Sequence, residues 1–269
     1  MVSTPAIIFS VITLMLSLIL PIVLAVWFCR KYQVSAVTVL LGAATFLIFQ
    51  LILRIPLMQI FNPILFGRDP INGSIRLVLY GLYLAFTAAL FEEGGRALAY
   101  KLFLKKKGDW KNAVAFGIGH GGFEAVILVG VTYIGNLIFI AMINFGIINT
   151  SGGMDDAVSQ AVKVLTETQP VLFLLAGIER VFAMALHIGF SLLVFYGLSN
   201  RKYQFLFYAF LAHFILNFPL TFLSGLSGGA YAAIVYIGVM AALALYWTIK
   251  ISPKMFLGIQ EAELKESGD

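Results

Sequence analysis

Long apolar runs alternate with short polar connections along the whole chain. A continuous apolar run of about twenty residues is typical of a membrane-spanning helix. Seven runs have this character, at residues 5–28, 36–61, 77–104, 113–143, 170–199, 203–223 and 229–250. The pattern therefore predicts an all-α fold, a polytopic bundle of seven transmembrane helices.

The connection at 144–170 is long enough to have structure of its own. It contains DDAVSQAVKVLTE, in which Ala and Val recur at helical spacing. This segment is either an amphipathic helix on the membrane surface or a plain connector. Because no repeat or domain linker stands out, residues 1–269 are interpreted as a single integral membrane domain, with its motif-bearing core at about 77–223.

Composition supports the membrane class. Hydrophobic residues make up 61% of the chain and charged residues 12%, whereas a soluble domain has about a quarter charged residues. The single cysteine, Cys29, excludes an internal disulfide framework. The net charge is +5, but the basic residues form short clusters beside apolar runs, which argues against a nucleic-acid partner.

The distribution of Lys and Arg predicts the orientation. Twelve of the 18 basic residues lie on one side of the predicted bundle, whereas only Arg68, Arg76 and Lys163 lie on the other. Because basic residues concentrate on the cytoplasmic side, the N-terminus is expected outside and the tail IQEAELKESGD in the cytoplasm. We expect a multi-pass protein of the cell membrane, specifically a bacterial plasma membrane.

Ionisable residues inside the predicted spans are the unusual feature of this sequence. They are Arg54, Glu92, Glu93, Arg96, His120, Glu124, Glu179, Arg180, His187 and His213. A charged side chain at the bilayer centre costs about 2.5–3.5 kcal/mol on insertion scales, so these residues require a shared polar interior. Some of these residues can instead have a structural role. Glu92 and Arg96 can form a buried ion pair that holds helices in register, and Glu179 and Arg180 can pair with each other at a different depth. Arg54 is expected to reach the membrane edge or a helix end.

Helical spacing and depth bring these residues towards one place. Positions four or seven apart share a helix face, and the pairs with this spacing are Glu92 and Arg96, His120 and Glu124, His213 and Asn217, and Arg180 and His187. Glu93, Glu124, His187 and His213 each lie about 17–21 Å from the cytoplasmic end of their helix. Four helices can therefore present histidine and carboxylate at one level.

Histidines and carboxylates that converge in this way are the ligand set of a divalent metal, with zinc the leading candidate. A glutamate beside metal-bound water can act as a general base. The HExxH motif of soluble zinc proteases is absent, and HGGFE has the residue types in reverse order. A proton- or ion-coupled transporter is an alternative, because Glu and His also form relays, although no inverted repeat is visible.

Four motifs carry a family resemblance. EEGGR, GHGGFEA, GIERVFAMALHIGFS and LAHFILNFP, between Phe91 and Pro219, resemble the type II CAAX-protease and bacteriocin-processing superfamily. They are most similar to its YhfC branch of intramembrane metalloproteases, which is related to the PrsW proteases. The arginine is one residue closer to the glutamate pair than in the CAAX enzymes, and His187 and Glu124 are outside the CAAX pattern.

The resemblance implies an intramembrane, metal-dependent endopeptidase acting on a membrane protein or peptide substrate. It assigns catalytic roles to Glu92, Glu93, Arg96 and Asn217, and metal ligation to His120, His187 and His213. Glu124, one turn from His120, is a further candidate metal ligand by its own position. Glu92 would activate the water, a role that Glu93 could share unless it pairs with Arg96. The histidines could instead orient the water, and Glu124 could instead be a partner of His120. Asn217 would donate to the oxyanion.

The resemblance also leaves a non-catalytic function open. The superfamily includes an assembly subunit of gamma-secretase, so the chain could be a membrane scaffold in which the polar residues only hold helices together. The sequence also does not decide which of Glu92 and Glu93 faces the site, because neighbours on a helix diverge by about 100°.

Overall fold

The computed structural model describes residues 1–67, 74–148, 155–223 and 225–257. In chain order its helices are α1 (Thr4–Tyr32), α2 (Ala36–Phe66), α3 (Ile75–Leu104), α4 (Trp110–Asn144), α5 (Asp156–Glu167), α6 (Pro170–Ser199), α7 (Gln204–Leu223) and α8 (Gly229–Leu257). All except α5 are long and apolar enough to cross a membrane. No strand occurs in these ranges, so the predicted all-α bundle of seven spans is confirmed. Arg68 and the tail IQEAELKESGD lie outside the described residues.

The segment between the fourth and fifth spans is a helix rather than a plain connector. Asp155 begins α5 as its N-cap, since its carboxylate accepts a hydrogen bond from the Ala157 amide at 2.8 Å. Leu165 on the inner face of α5 is buried in a cluster with Ile140 and Ile143 of α4. The amphipathic pattern is therefore explained by α5 packing against the end of α4.

Helix α6 lies at the centre of the bundle. Of the 18 most apolar consecutive residues of α6, 72% are buried inside the bundle, compared with 17–28% for the corresponding stretches of the other six spans. Small residues allow this packing: a Cβ added at Gly117 of α4 would lie 2.5 Å from the Ile188 Cα of α6. On another side of α4, a Cβ at Gly119 would lie 1.9 Å from the Val39 carbonyl oxygen of α2. Glycines therefore place α4 in backbone contact with both α2 and α6.

Several spanning helices contain π-helical turns, in which the backbone is wider than in an α-helix. They lie at Met15–Ile19, Leu47–Arg54, Tyr100–Leu104, Val126–Gly130 and Trp247–Ile251. The π-helical turn in α4 begins two residues after Glu124, and α4 then continues unbroken to Asn144.

The proline of α7 interrupts that helix as its chemistry requires. Pro219 has no amide hydrogen to donate to the Ile215 carbonyl, and the first part of α7 ends at Asn217. The freed Ile215 oxygen accepts a hydrogen bond from the Tyr236 hydroxyl of α8 at 2.7 Å. This contact fixes the end of the α7 segment that carries Asn217.

The expectation for Arg54 is wrong. Arg54 does not reach the membrane edge: it is buried, with 9% of its surface exposed, because α2 continues for another three turns to Phe66. Its guanidinium donates to the Leu84 carbonyl of α3, in the middle of that helix.

Candidate metal centre

The candidate site lies where α3, α4, α6 and α7 meet. These helices contribute Glu92, Glu93 and Arg96, then His120 and Glu124, then His187, and finally His213. Six of the seven are buried, with Arg96 and His120 fully inaccessible; Glu124 keeps 14% of its side chain exposed. Close approach of α4 to α6 at Gly117 and Gly121 brings the histidines of these two helices together, with ring centroids 5.0 Å apart.

All three histidines face one carboxylate, that of Glu92. Its Oε2 lies 3.0 Å from His120 Nε2 and 3.8 Å from His187 Nδ1. Its Oε1 lies 4.0 Å from His213 Nε2. Glu92, His120 and His187 each offer one ligand atom, and these atoms lie within 4.8 Å of one another. The side chains thus surround one point instead of following a line through the membrane.

The second ring nitrogens of two histidines point to other carboxylates. His213 Nδ1 donates to Glu93 Oε1 at 2.6 Å, and His187 Nε2 lies 2.5 Å from Glu124 Oε2. In each case a nitrogen that is not held by the outer carboxylate is directed towards Glu92. A metal-ligating histidine is usually held by a carboxylate at one nitrogen and open at the other, and His213 has this arrangement.

Arg96 links the glutamate pair to His187. It forms an ion pair with Glu93 and lies 3.5 Å from Glu92 Oε2. Its Nη2 also donates to His187 Nδ1 at 2.6 Å, so this nitrogen is an acceptor and the ring proton is on Nε2. A metal ion bound at His187 Nδ1 therefore requires Arg96 to release that nitrogen.

A second polar group adjoins the first through Glu124. Arg180 Nη1 donates to Glu124 Oε1 at 2.9 Å, and the same guanidinium pairs with Glu179. Glu124 thus contacts His187 and Arg180. It is not a partner of His120, the residue one turn before it on α4. Arg180 also does more than form an isolated pair with Glu179. Its spacing of seven from His187 was the signal for this, because both residues lie on the face of α6 that α4 contacts.

The donor set and its charge fit a divalent cation. With neutral histidines, four carboxylates, those of Glu92, Glu93, Glu124 and Glu179, outnumber the three guanidiniums around the cavity, those of Arg54, Arg96 and Arg180, by one negative charge. Imidazole nitrogen and carboxylate oxygen are ligands that zinc accepts. His120 Nδ1 and Glu93 Oε2 are buried without a hydrogen-bond partner among the described residues.

A cavity of about 300 Å³ opens onto this cluster. Its lining includes Glu92, Glu124, His187, His213 and Asn217, and also Gln50 and Arg54 of α2. Glu93 does not line it, so Glu92 is the member of the glutamate pair that faces the open space. Asn217 is at the cavity wall, one turn beyond His213. Sequence reasoning missed Gln50 entirely, because an amide in an apolar run has no charge to draw attention.

Together these features define a class: a multi-pass helical membrane protein with a buried histidine–carboxylate centre beside a cavity. Residues 16–249 match the model of the family described as "YhfC intramembrane metalloprotease". The chain therefore belongs to the YhfC family. It is similar to the "Uncharacterized membrane protein YhfC" of Bacillus subtilis (strain 168), with 34% identity over 255 residues that cover 93% of this chain and 98% of the relative. No solved structure matches the chain.

Proposed function

We propose that this protein is an intramembrane endopeptidase that uses a divalent metal, zinc in the first instance, and a glutamate-activated water. The observation that carries the proposal is the convergence of three histidines on the Glu92 carboxylate at the edge of a cavity. His120, His187 and His213 would hold the metal. Family membership supports the same chemistry.

A bound zinc ion would supply a water that is a strong nucleophile and a Lewis acid for the substrate carbonyl. Glu92 accepts the proton of this water, since its carboxylate faces the cavity and all three rings. Asn217 donates its amide hydrogen to the oxyanion as the scissile carbonyl becomes tetrahedral. Glu92 then passes the proton to the leaving amine, so hydrolysis yields one new carboxyl terminus and one new amino terminus.

The outer residues position this machinery. Glu93 holds the ring of His213 and Glu124 lies against that of His187, which fixes the direction of the opposite nitrogens. Arg96 balances the charge of the glutamate pair. We assign Glu124 to this positioning role in place of the metal-ligand role that the sequence suggested.

The proposed chemistry limits the shape of the substrate. In an α-helix each carbonyl oxygen accepts a hydrogen bond from the amide four residues further on. A transmembrane substrate would therefore unwind into an extended segment before cleavage, so that its carbonyl becomes accessible. The interrupted end of α7 beside Asn217 is where we expect such a segment to enter.

Cleavage by the reconstituted protein tests the proposal. Zinc-loaded protein is incubated in liposomes with a library of bacterial membrane-protein fragments, and new peptide termini are identified by mass spectrometry. Wild type and the surface control Glu167→Gln should produce the same termini, whereas Glu92→Gln should lose at least about a hundredfold of the rate. Unchanged cleavage by Glu92→Gln would contradict the mechanism, and metal uptake without any cleavage by wild type would favour the scaffold.

A further inference from the structure

Arg54 differs from Arg96 and Arg180, the other two arginines around the site. Its Nη2 donates to the Leu84 carbonyl at 2.9 Å and its Nε to the Thr87 hydroxyl at 3.2 Å. Both acceptors are neutral. Arg96 and Arg180 each pair with carboxylates, but within the described ranges no carboxylate lies within 4.0 Å of Arg54. A guanidinium has five N–H donors, so three remain for another partner.

Gln50 provides a second polar group beside this cation. It lies four positions before Arg54, on the same face of α2, and both side chains line the cavity. Gln50 Oε1 is buried and has no hydrogen-bond partner. The two residues belong to the π-helical segment Leu47–Arg54, and π-helical turns are frequent at functional sites. Within the described part of the chain, a cation with no carboxylate within 4.0 Å and a buried acceptor with no hydrogen-bond donor thus face the space next to Glu92.

Distances along α3 place this group relative to the proposed chemistry. Leu84, which binds Arg54, is two turns before Glu92, or about 12 Å along the helix. An extended peptide covers about 3.3 Å per residue, so 12 Å corresponds to three or four residues. A planar guanidinium matches a carboxylate with two parallel hydrogen bonds, and Gln50 Oε1 can accept from a neighbouring peptide N–H.

We propose that Arg54 and Gln50 form a carboxylate-binding subsite, which holds an acidic group of the peptide substrate three or four residues from the cleaved bond. The inference rests on the proposed function for its substrate, but binding can be measured separately from cleavage. The carboxylate could belong to an aspartate or glutamate side chain or to the C-terminus of the peptide. Arg54 and Gln50 are specificity residues in this account.

Three forms of one short apolar fluorescent peptide distinguish these sources. The first has a free C-terminal carboxylate and an internal glutamine. The second has an amidated C-terminus and an internal glutamate. The third has an amidated C-terminus and an internal glutamine, so it has no carboxylate. Binding to full-length zinc-loaded protein in nanodiscs is followed by fluorescence anisotropy, with Glu92→Gln used alongside wild type to prevent turnover. At least one carboxylate form should bind about 10–100-fold more tightly than the neutral form.

Variants then assign the preference to the subsite. Arg54→Gln should remove the preference, Arg54→Lys should keep part of it, and Gln50→Leu should weaken it. Arg30→Gln, which changes an exposed arginine at the end of α1, is the matched control and should retain it in full. If wild type binds the three peptides equally, or binds none of them measurably, the proposal is overturned, and no variant is needed to decide this. If binding depends on the carboxylate but wild type cleaves no peptide, the subsite is supported and the proposed peptidase function is contradicted.

Discussion

His213 Nδ1 on α7 lies 2.6 Å from Oε1 of Glu93, a residue 120 positions earlier in the chain on the neighbouring helix α3. The Glu93 carboxylate also pairs with Arg96. One buried carboxylate thus holds both a ring and a guanidinium, and it leaves His213 Nε2 on the side of Glu92.

If this contact orients a metal ligand, Glu93→Gln should weaken zinc binding by about 10–100-fold, because outer partners of ligating histidines contribute this much. Chelator competition on purified protein measures the affinity. The amide keeps the size of the side chain, and Glu167→Gln on exposed α5 is the control. A zinc affinity equal to that of wild type would mean that His213 is not a ligand.

Arg96→Gln should destabilise the metal-free protein more than the zinc-loaded protein. Removal of one partner of a buried ion pair costs about 3–5 kcal/mol, because the other charge is left without compensation. A bound cation can supply part of this compensation. Thermal unfolding in detergent with zinc and with a chelator measures both values. The same loss of stability in the two conditions would show that no cation shares the charge of the glutamate pair.

The approach of α4 to α6 gives a matched glycine pair on one helix. A Cβ at Gly117 would lie 2.5 Å from the Ile188 Cα, whereas nothing lies within 4 Å of a Cβ at Gly135. Gly117→Ala should therefore destabilise the protein by about 1–3 kcal/mol through overpacking and lower zinc affinity by moving His120. Gly135→Ala should be neutral or mildly stabilising. Equal melting temperatures for the two variants would contradict the described packing.

The Tyr236–Ile215 contact should depend on Pro219. Tyr236→Phe removes a hydrogen bond worth about 0.6 kcal/mol in a membrane bundle. In a Pro219→Ala background the alanine N–H can bond the Ile215 carbonyl, so the same substitution should then have almost no effect. A double-mutant cycle on unfolding free energies measures this coupling. Additive effects would show that the proline does not free that carbonyl for Tyr236.

The sequence predicted what depends on local pattern. Hydropathy identified all seven spans, since twenty apolar residues in a row need no tertiary information, and helical spacing brought Glu92, His120 and His213 to the same interior. The partners were harder to predict. Glu124 was expected near His120 because they are four apart on α4. In the structure it turns to α6, where it contacts both His187 and Arg180.

Arg54 shows the limit of the sequence in a different way. Its predicted depth depended on where α2 ends. The sequence placed this end at residue 61, but α2 continues five residues further to Phe66, so Arg54 lies deeper in the bundle than expected. Contacts such as that of Arg96 on α3 with His187 on α6, 91 positions apart, depend on how these two helices are placed in the bundle. That placement is a property of three-dimensional packing, which no single run of sequence contains.

X-ray absorption at the zinc edge tests the central claim most directly. Zinc-loaded wild type should show nitrogen and oxygen ligands at about 2.0–2.2 Å, with outer-shell scattering from the imidazoles of His120, His187 and His213. Each single His→Ala variant should lose one imidazole contribution, and Glu167→Gln should leave the spectrum unchanged. Zinc without imidazole scattering, or no retained zinc in wild type, would contradict a metal centre at this site.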